Sequence, residues 1–481
     1  MAAALALVGA TAQAAAPQRT WHGGVIVARQ ALLLGGALAA NGDALASGTT
    51  ARVEVATRNG FAGGWTVRPL SGALNGGTST VSAINDAGAA VVLWRAPAHS
   101  VYSSVRATRT GAWRTLVVPS GATARGNDGF FTPSAAVNAK GQATVVWAAH
   151  EQLGWAVRSA FRSGTNAIWR ATPALALTPA PGSVMVRTNA EGDAIAAWSA
   201  PGSGGTVYVA LRAAHKAWGP ATAIGTTAFE GTALGAPPSV SIAPNGRVAV
   251  AWAFDPTSDV TQSQVKVATG NALTGQISAP ATIAAGIAPS VAINGSGALA
   301  AAWAVSDSGF YNVTQYAAVA PDGTTWTTPQ VLEAVTSGSE LNYGTVVLSE
   351  SGRAFASWSV HVGPGAYTAT GASAGADGVW TRFLNTTAGS PTGITLALDR
   401  PGDALALTHF DTRFVPIQFG TTAYSYDRAL RVTHAQWVWL NSVFIPAHFA
   451  PALRATVWTR LTSNPSAALA LVTRYAPASI R

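Results

Sequence analysis

The amino-acid sequence predicts an all-β fold, a β-propeller of about eight four-stranded blades, and three observations carry this prediction. A glycine recurs every 46 to 55 residues, at positions 42, 88, 141, 192, 246, 297, 352 and 402. Six of these glycines are followed, always six residues later, by a tryptophan, at positions 94, 147, 198, 252, 303 and 358. A second tryptophan recurs later in most units, at positions 65, 113, 169, 218, 326 and 380.

Each repeat unit reads as four short strands, which we label a to d. Residues 89–94, after Gly88, are all apolar, so strand b is expected to be buried on both faces. A β-branched segment before the glycine, such as residues 289–294, predicts strand a, and the Asn/Gly turn between a and b supplies a positive φ. An alternating segment such as residues 207–212 predicts strand c, and strand d starts at the second tryptophan.

Other repeat architectures fit the pattern less well. Helical repeats require a period of 3.6 residues, which no unit shows. A linear array of β-sandwich domains is the main alternative, but it requires longer units and linkers between them. The propeller is therefore the architecture that the period and the strand pattern favour.

The two ends of the chain predict how the ring closes. Residues 19–27, around Trp21, read as a strand d without its own a, b and c. The unit of Gly402 has strands a, b and c but no clear d, so pairing of the first strand with this last blade would give eight blades and remove the free sheet edges. Seven blades remain the alternative. We assign residues 17–430 to the propeller and 431–481 to a C-terminal extension or a blade-closing segment.

Composition limits the classes of partner. The net charge is +9, but the 29 basic residues are scattered and lysine occurs only at positions 140, 216 and 266, so we expect no nucleic-acid partner. The chain has no cysteine, which excludes disulfides and thiolate metal sites. No later segment is an uninterrupted apolar run of about 18 residues, so we expect no membrane span. A monomer is expected.

The N-terminus predicts export. Residues 1–16 are an apolar Ala/Leu/Val segment that ends in a small-residue run before Pro17, as in a secretory signal, although the basic n-region is missing. We therefore expect a signal peptide at 1–16 and a secreted protein, at the cell surface or in a periplasm. An intact N-terminus in the mature protein, measured by mass spectrometry, would contradict this expectation.

Two turns resemble those of a known class of propellers. Asp322-Gly-Thr-Thr-Trp326 and Asp377-Gly-Val-Trp380 are similar to the turns of secreted bacterial propellers of the sialidase-like, Asp-box class. An Asp-box reads Ser-x-Asp-x-Gly-x-Thr-Trp, whereas Asp and Gly are adjacent here and the leading Ser is absent. The resemblance implies a secreted repeat propeller. Sialidases also require an arginine triad, a Tyr/Glu pair and an acidic Asp, and no positions in this sequence match these groups.

The candidate site residues lie where propeller topology collects loops. The b-to-c and d-to-a loops of all blades surround one mouth of the central channel, while the tight a-to-b and c-to-d turns occupy the other face. Carboxylates in these loops could act as acids or bases, and the catalytic candidates are Glu151, Asp255, Asp307 and Asp411. Imidazoles, carboxylates and aromatic rings could bind a ligand, and the binding candidates are His99, His150, Asp307, Tyr311, His361, His409, Phe131 and Tyr343.

No cofactor and no metal ligand set is assigned, although a divalent cation at the loop face is compatible with these residue types. The b-strand tryptophans are expected to pack between blades, and the d-strand tryptophans to be more exposed. The sequence thus predicts an extracellular binding module, for a glycan, a cell-envelope polymer or a cell-surface protein. A secreted hydrolase or lyase acting on polysaccharide is the alternative, and a purely structural surface protein is the third possibility.

Overall fold

The computed structural model of the chain describes most of the repeat region. The described residues are 20–21, 25–29, 32–39, 41, 43–49, 52–59, 65–72, 80–95, 101–119, 133–151, 154–164, 167–178, 182, 184–200, 205–227, 238–257, 259–307, 312–335, 341–363, 366–388, 391–398, 404–410 and 420–427. The proposed signal peptide, residues 1–16, and the segment 431–481 lie outside them. Within the described part, no helix is long and apolar enough to cross a membrane.

The first four blades are antiparallel sheets of strands that are consecutive in the chain. Blade 1 comprises Leu32–Leu38, Ala44–Thr49, Val53–Arg58 and Trp65–Pro69. Blade 2 comprises Thr80–Ile84, Ala90–Arg95, Val101–Arg106 and Arg114–Val118. Blade 3 comprises Ser134–Val137, Ala143–Glu151, Gly154–Arg162, and an outer strand in two pieces, Arg170–Ala171 and Ala176–Thr178. Blade 4 comprises Val184–Thr188, Ala194–Ala200, Thr206–Arg212 and Thr222–Thr226.

Three further blades follow the same order. Blade 5 comprises Ser239–Ile242, Arg247–Phe254, Gln264–Asn271, and an outer strand in two pieces, Gln276–Ile277 and Ala281–Ala285. A short 3-10 helix, Val260–Gln262, precedes its strand c. Blade 6 comprises Ile287–Ile293, Leu299–Ser306, Val313–Ala320 and Gln330–Val335. Blade 7 comprises Leu341–Leu348, Ala354–Gly363, Ala366–Ala374 and Trp380–Ala388.

The eighth sheet joins the two ends of the chain, as the sequence predicted. Its strands a, b and c are Pro391–Leu398, Ala404–Phe410 and Gly420–Asp427, and Val25–Arg29 supplies the outer strand. Strand a of this blade contacts strand a of blade 7 on one side and of blade 1 on the other, so the ring closes within the compact unit Gly23–Ser425. In the chain's other unit, Thr20–Trp21 pairs with the residues at 426 and 427.

The b-strand tryptophans form the core between neighbouring blades, which confirms the sequence prediction. Trp198 is fully buried and packs against Val146 and Val157 of the preceding blade. It also stacks on Tyr208, its direct partner on strand c, with ring centroids 5.8 Å apart. The equivalent tryptophans of the other described repeats, at 94, 147, 252, 303 and 358, are buried in the same way. Aromatic rings at one register position thus fill the space between radial sheets.

The Asn/Gly turns join each blade to the next. Asn85 Oδ1 accepts from Ala89 N inside its own turn (2.8 Å), while its Nδ2 donates to Asn138 O in the following blade (2.6 Å). The same two-way bonding recurs at Asn189 and Asn294. The recurrent asparagine therefore holds neighbouring blades together by hydrogen bonds and is not a ligand site.

The recurrent glycines have the backbone conformation that the turns require. Gly88 has φ of +76°, and a Cβ atom there would lie 2.6 Å from Arg109 Cα and N. The repeat glycines at 141, 192, 246, 297 and 352 also have positive φ. Any other residue at position 88 would have a strained backbone. Its Cβ atom would also collide with Arg109 in the turn between strands c and d of the same blade. Gly42 and Gly402 lie outside the described residues.

Candidate functional site

The structure describes only part of the loop face that the sequence singled out. His99, Phe131, Tyr311 and Asp411 lie outside the described residues. Their part in a site therefore stays a prediction.

Five other candidates lie in strands rather than in loops, which corrects the sequence assignment. His150 and Glu151 end strand b of blade 3 and pair with the backbone of residues 155 and 154. His361 lies in strand b of blade 7, and His409 in strand b of blade 8. Tyr343 belongs to strand a of blade 7. In blades 3 and 7 the hydrogen-bonded ladder continues past the repeat tryptophan because strand c extends opposite these residues, which leaves shorter loops than the sequence predicted.

The two catalytic candidates of the loop face that are described and lie outside strands, Asp255 and Asp307, are held by different contacts. Asp307 closes a turn, since its Oδ2 accepts from Asn312 Nδ2 (2.6 Å) and from Asn312 N (3.2 Å). Asp255 is 4% exposed; its Oδ1 accepts from Thr257 N (3.1 Å), but its buried Oδ2 has no hydrogen-bond partner among the described residues. Neither residue lines the channel or the pocket described below. A buried carboxylate oxygen without a donor is costly, which distinguishes Asp255 from Asp307.

Other acidic groups on this side have structural roles. Asp259 caps the short helix of blade 5, with its Oδ1 accepting from Thr261 N (3.0 Å) and Oγ1 (2.8 Å), and these bonds lower its pKa. Glu333 forms an ion pair with Arg382 (3.1 Å) from within strand d of blade 6. Among the described residues, no group of three or more His, Asp or Glu side chains could hold a metal ion.

The central channel has a volume of about 630 Å³ and is lined by strands a. Its hydroxyl groups bond neighbouring blades; Ser239 Oγ accepts from Val291 N (3.1 Å), and Ser290 Oγ from Val346 N (3.0 Å). Arg187 is open to the lumen but closely surrounded by protein, so desolvation lowers its pKa. The channel wall is thus largely occupied by contacts that hold the ring together.

The opposite face carries a repeated arginine–tryptophan pair. Strand c ends at an arginine in each of blades 1 to 4, at positions 58, 106, 162 and 212. In three of these blades the guanidinium lies over the tryptophan that begins the outer part of the same blade, at 5.6 Å for Trp65, 5.3 Å for Trp113 and 4.9 Å for Trp218. These tryptophans are half-buried, as expected, whereas Trp169 is buried and donates to Ser103 Oγ (2.8 Å).

One of these pairs opens into a pocket of about 540 Å³ between blades 3 and 4. Blade 3 contributes Phe161 and Thr172, while blade 4 contributes Arg212 and the turn that carries His215 and Lys216. The half-buried ring of Trp218, at the end of that turn, also lines the pocket. His215 has φ of +62°, a conformation that few residues other than glycine adopt. The pocket therefore combines apolar rings with basic groups on the face of the a-to-b and c-to-d turns.

Arg212 is fixed in position at the base of this pocket. Its guanidinium lies between Phe161 (5.2 Å) and Trp218 (4.9 Å), and its Nη2 donates to Thr144 Oγ1 (2.8 Å). Burial lowers the pKa of Arg212 to about 10, against the opposing effect of Asp193, so the group is still a cation at neutral pH. A cation held between two rings is pre-organised for a ligand that offers polar oxygens and an apolar face.

These pairs were not anticipated from the sequence, although it contains a signal for them. An arginine precedes the second tryptophan by seven residues in blades 1 to 3 and by six in blade 4. In the sequence alone, each of these arginines looks like one of the many basic residues that are scattered along the chain. Its role becomes apparent only when strands c and d are paired, because the turn between them folds the tryptophan back onto the end of strand c.

The two Asp-box-like aspartates hold turns between strands c and d. Asp322 Oδ1 accepts from Thr325 N (2.7 Å) and Thr324 N (2.8 Å), and these two bonds hold the pKa of its carboxyl well below the usual range. Asp377 Oδ1 accepts from Val379 N (3.2 Å). Both are therefore turn-forming residues in this fold.

The closed ring of radial four-stranded sheets defines an all-β propeller. No protein-family model matches the chain, and no curated protein matches it in sequence. The Asp-box similarity therefore stays a resemblance.

Solved structures similar to this chain include proteins of different functions. A PL25 ulvan lyase, which is a polysaccharide lyase, matches with a TM-score of 0.49 and 10% identity, over 70% of this chain and 90% of its own. The Aleuria aurantia lectin matches with a TM-score of 0.36 and 13% identity, over 64% of this chain and 96% of its own. Sqt1 of Saccharomyces cerevisiae matches with a TM-score of 0.48 and 10% identity, over 85% of this chain and 99% of its own. At these identities and TM-scores, none of the three matches indicates the function of this chain.

Proposed function

We propose that this protein is an extracellular carbohydrate-binding module. The observation that carries the proposal is the pocket between blades 3 and 4, in which the Trp218 ring lies beside the fixed guanidinium of Arg212. A sugar ring presents an apolar face of C–H groups and an edge of hydroxyl groups. An aromatic ring next to a multiple hydrogen-bond donor matches both, and the volume of about 540 Å³ is adequate for one or two sugar residues.

The test is binding of the intact protein to an array of oligosaccharides, followed by titration calorimetry with those that bind. Trp218→Ala removes the ring from the pocket, and we expect it to weaken binding about tenfold or more, as loss of an aromatic contact of roughly 1.5 kcal/mol requires. Trp326→Ala is the matched control, because Trp326 is a half-buried tryptophan at the same position of blade 6, where strand c ends in Ala320 and no arginine is present.

Thermal unfolding of both variants must accompany the titrations, so that loss of fold is not mistaken for loss of binding. Equal affinity of Trp218→Ala and the wild type would exclude the inter-blade pocket. Absence of binding to any carbohydrate on the array would overturn the proposed function itself.

A second candidate function is hydrolysis or elimination on a polysaccharide at the loop face. The observation that favours it is Asp255, whose buried Oδ2 has no hydrogen-bond donor among the described residues, since a catalytic role is one reason why such an unsatisfied group is retained. If this enzymatic function is correct, Asp255→Asn lowers turnover by about 10²-fold or more, the usual contribution of a general acid or base. Asp307→Asn is the control, since the carboxylate of Asp307 is bonded to Asn312 within a turn.

Product formation from the array sugars decides between the two functions. Chromatography of oligosaccharides incubated with the wild-type protein would show shorter products for an enzyme and unchanged material for a binding module. Turnover that Asp255→Asn leaves intact would remove Asp255 from the mechanism.

A further inference from the structure

We propose that the pocket between blades 3 and 4 selects an acidic sugar residue, one that carries a carboxylate or a sulfate ester. This inference rests on the proposed carbohydrate-binding function and specifies the ligand of the same site. Two observations support it. Arg212 and Lys216 line the same pocket as the rings of Phe161 and Trp218, and no described residue that lines the pocket is acidic.

The charge of the wall has one sign. Among the described residues that line the pocket, Arg212 and Lys216 are cationic, His215 adds an imidazole at the rim, and none is Asp or Glu. A neutral sugar has no need of two cations, and a pocket that selects for uncharged hydroxyls commonly uses carboxylates as acceptors. An anionic group is the ligand that complements two cations without an acidic neighbour.

The acidic group that acts on Arg212 does not face the ligand. Asp193 is 3% exposed; its Oδ2 accepts from Asn189 Nδ2 (2.8 Å), and its Oδ1 accepts from Ala214 N (2.8 Å). Its charge opposes the effect of burial on the pKa of Arg212. Asp193 therefore favours the charged form of Arg212, although it is not among the residues that line the pocket.

Lys216 differs from the other two lysines of the chain. Lys140 forms an ion pair with Glu191 (3.3 Å), and Lys266 lies over the Phe254 ring (5.0 Å) and donates to Thr282 Oγ1. Lys216 is exposed at the pocket rim, and no described acidic side chain forms an ion pair with it. Its ammonium group is thus available to a ligand anion that enters above Arg212 and Trp218.

The apolar rings distinguish a sugar acid from a simple inorganic anion. Phe161 and Trp218 flank the guanidinium, and both rings are only partly buried. A bare sulfate ion would bond to the cations but leave these rings in contact with water. A sugar acid would cover the rings and bond to the cations in one position, so its affinity should exceed that of the inorganic ion.

The test compares three probes on the full-length protein by titration calorimetry at low and high salt. The probes are a trisaccharide of galacturonic acid, the same trisaccharide as its methyl ester, and sodium sulfate. If the carboxylate of a sugar ring is selected, the free acid binds more tightly than the ester and the sulfate, and its affinity falls as salt rises. An array of sulfated oligosaccharides and of other uronic acids then tests whether acidic sugars with other ring structures also bind.

Lys216→Gln removes the rim cation and should weaken binding of the acidic probe up to about fivefold at low salt, the effect of an exposed charge pair, with little change for the ester. Lys266→Gln is the matched control, on blade 5, and should leave both unchanged. Equal or tighter binding of neutral sugars, together with an unaffected Lys216→Gln variant, would overturn this inference while leaving carbohydrate binding intact. Binding of sulfate as tight as that of the sugar acids would overturn it too, and failure of every sugar to bind would overturn the function on which it rests.

Discussion

Replacement of Trp198 by alanine is expected to lower the free energy of unfolding by about 3–5 kcal/mol, the usual range for a fully buried large aromatic side chain. Trp198 is 0% exposed, stacks on Tyr208 and packs against Val146 and Val157, so its removal opens a cavity between blades 3 and 4. Its indole N–H has no hydrogen-bond partner among the described residues, so the expected loss arises from packing. Urea titration followed by circular dichroism measures the change.

Two further variants test the physical reason. Trp198→Phe retains a ring beside Tyr208 and should cost clearly less than Trp198→Ala. Ile168→Ala removes an apolar side chain that is 70% exposed and should stay within about 0.5 kcal/mol of the wild type. If Trp198→Ala unfolds at the same urea concentration as the wild type, this tryptophan does not hold the two blades together.

Replacement of Asn189 by alanine is expected to cost about 2–3 kcal/mol, because it leaves buried donors and acceptors unpaired on two blades. Asn189 Oδ1 accepts from Gly192 N (3.0 Å) and Asp193 N (2.9 Å), and its Nδ2 donates to Asp193 Oδ2 (2.8 Å) and Pro244 O (3.1 Å). The variant should also weaken ligand binding, since Asn189 bonds to Asp193, which in turn accepts from Ala214 N in the turn that carries His215 and Lys216.

The control for this prediction is Asn245→Ala. Asn245 Nδ2 also donates to the following blade, at Gly295 O (2.7 Å), but this bond is exposed and water can replace the amide. We expect its loss to cost about 0.5 kcal/mol or less, measured in the same urea titration. If both variants lose a similar free energy of unfolding, then burial of the Asn189 hydrogen bonds does not determine how much they stabilise the fold.

The candidate site was harder to anticipate than the fold, and particular residues show why. His150 and Glu151 follow a repeat tryptophan, so they read as the start of a loop, whereas strand pairing continues to Gly154. Where a strand ends depends on the partner strand, which no local pattern specifies. The pocket of Arg212 was missed for a related reason, because its walls come from two blades, and Phe161 and Trp218 are far apart in sequence.

The recurring glycines and tryptophans predicted the propeller, and the incomplete repeats at the two ends of the chain predicted how the ring closes. A glycine turn and a buried tryptophan at a constant offset recur in each unit, and the N-terminal strand fits the gap in the last blade, now seen as the pairing of Val25–Arg29 with Gly420–Asp427. These patterns can be recognised in short segments, because a turn that needs glycine and a strand that is apolar on both faces are visible in consecutive residue types. Only the tertiary structure decided that Arg212 and Lys216 share a pocket with Phe161, because a site between blades depends on which side chains the closed ring brings together.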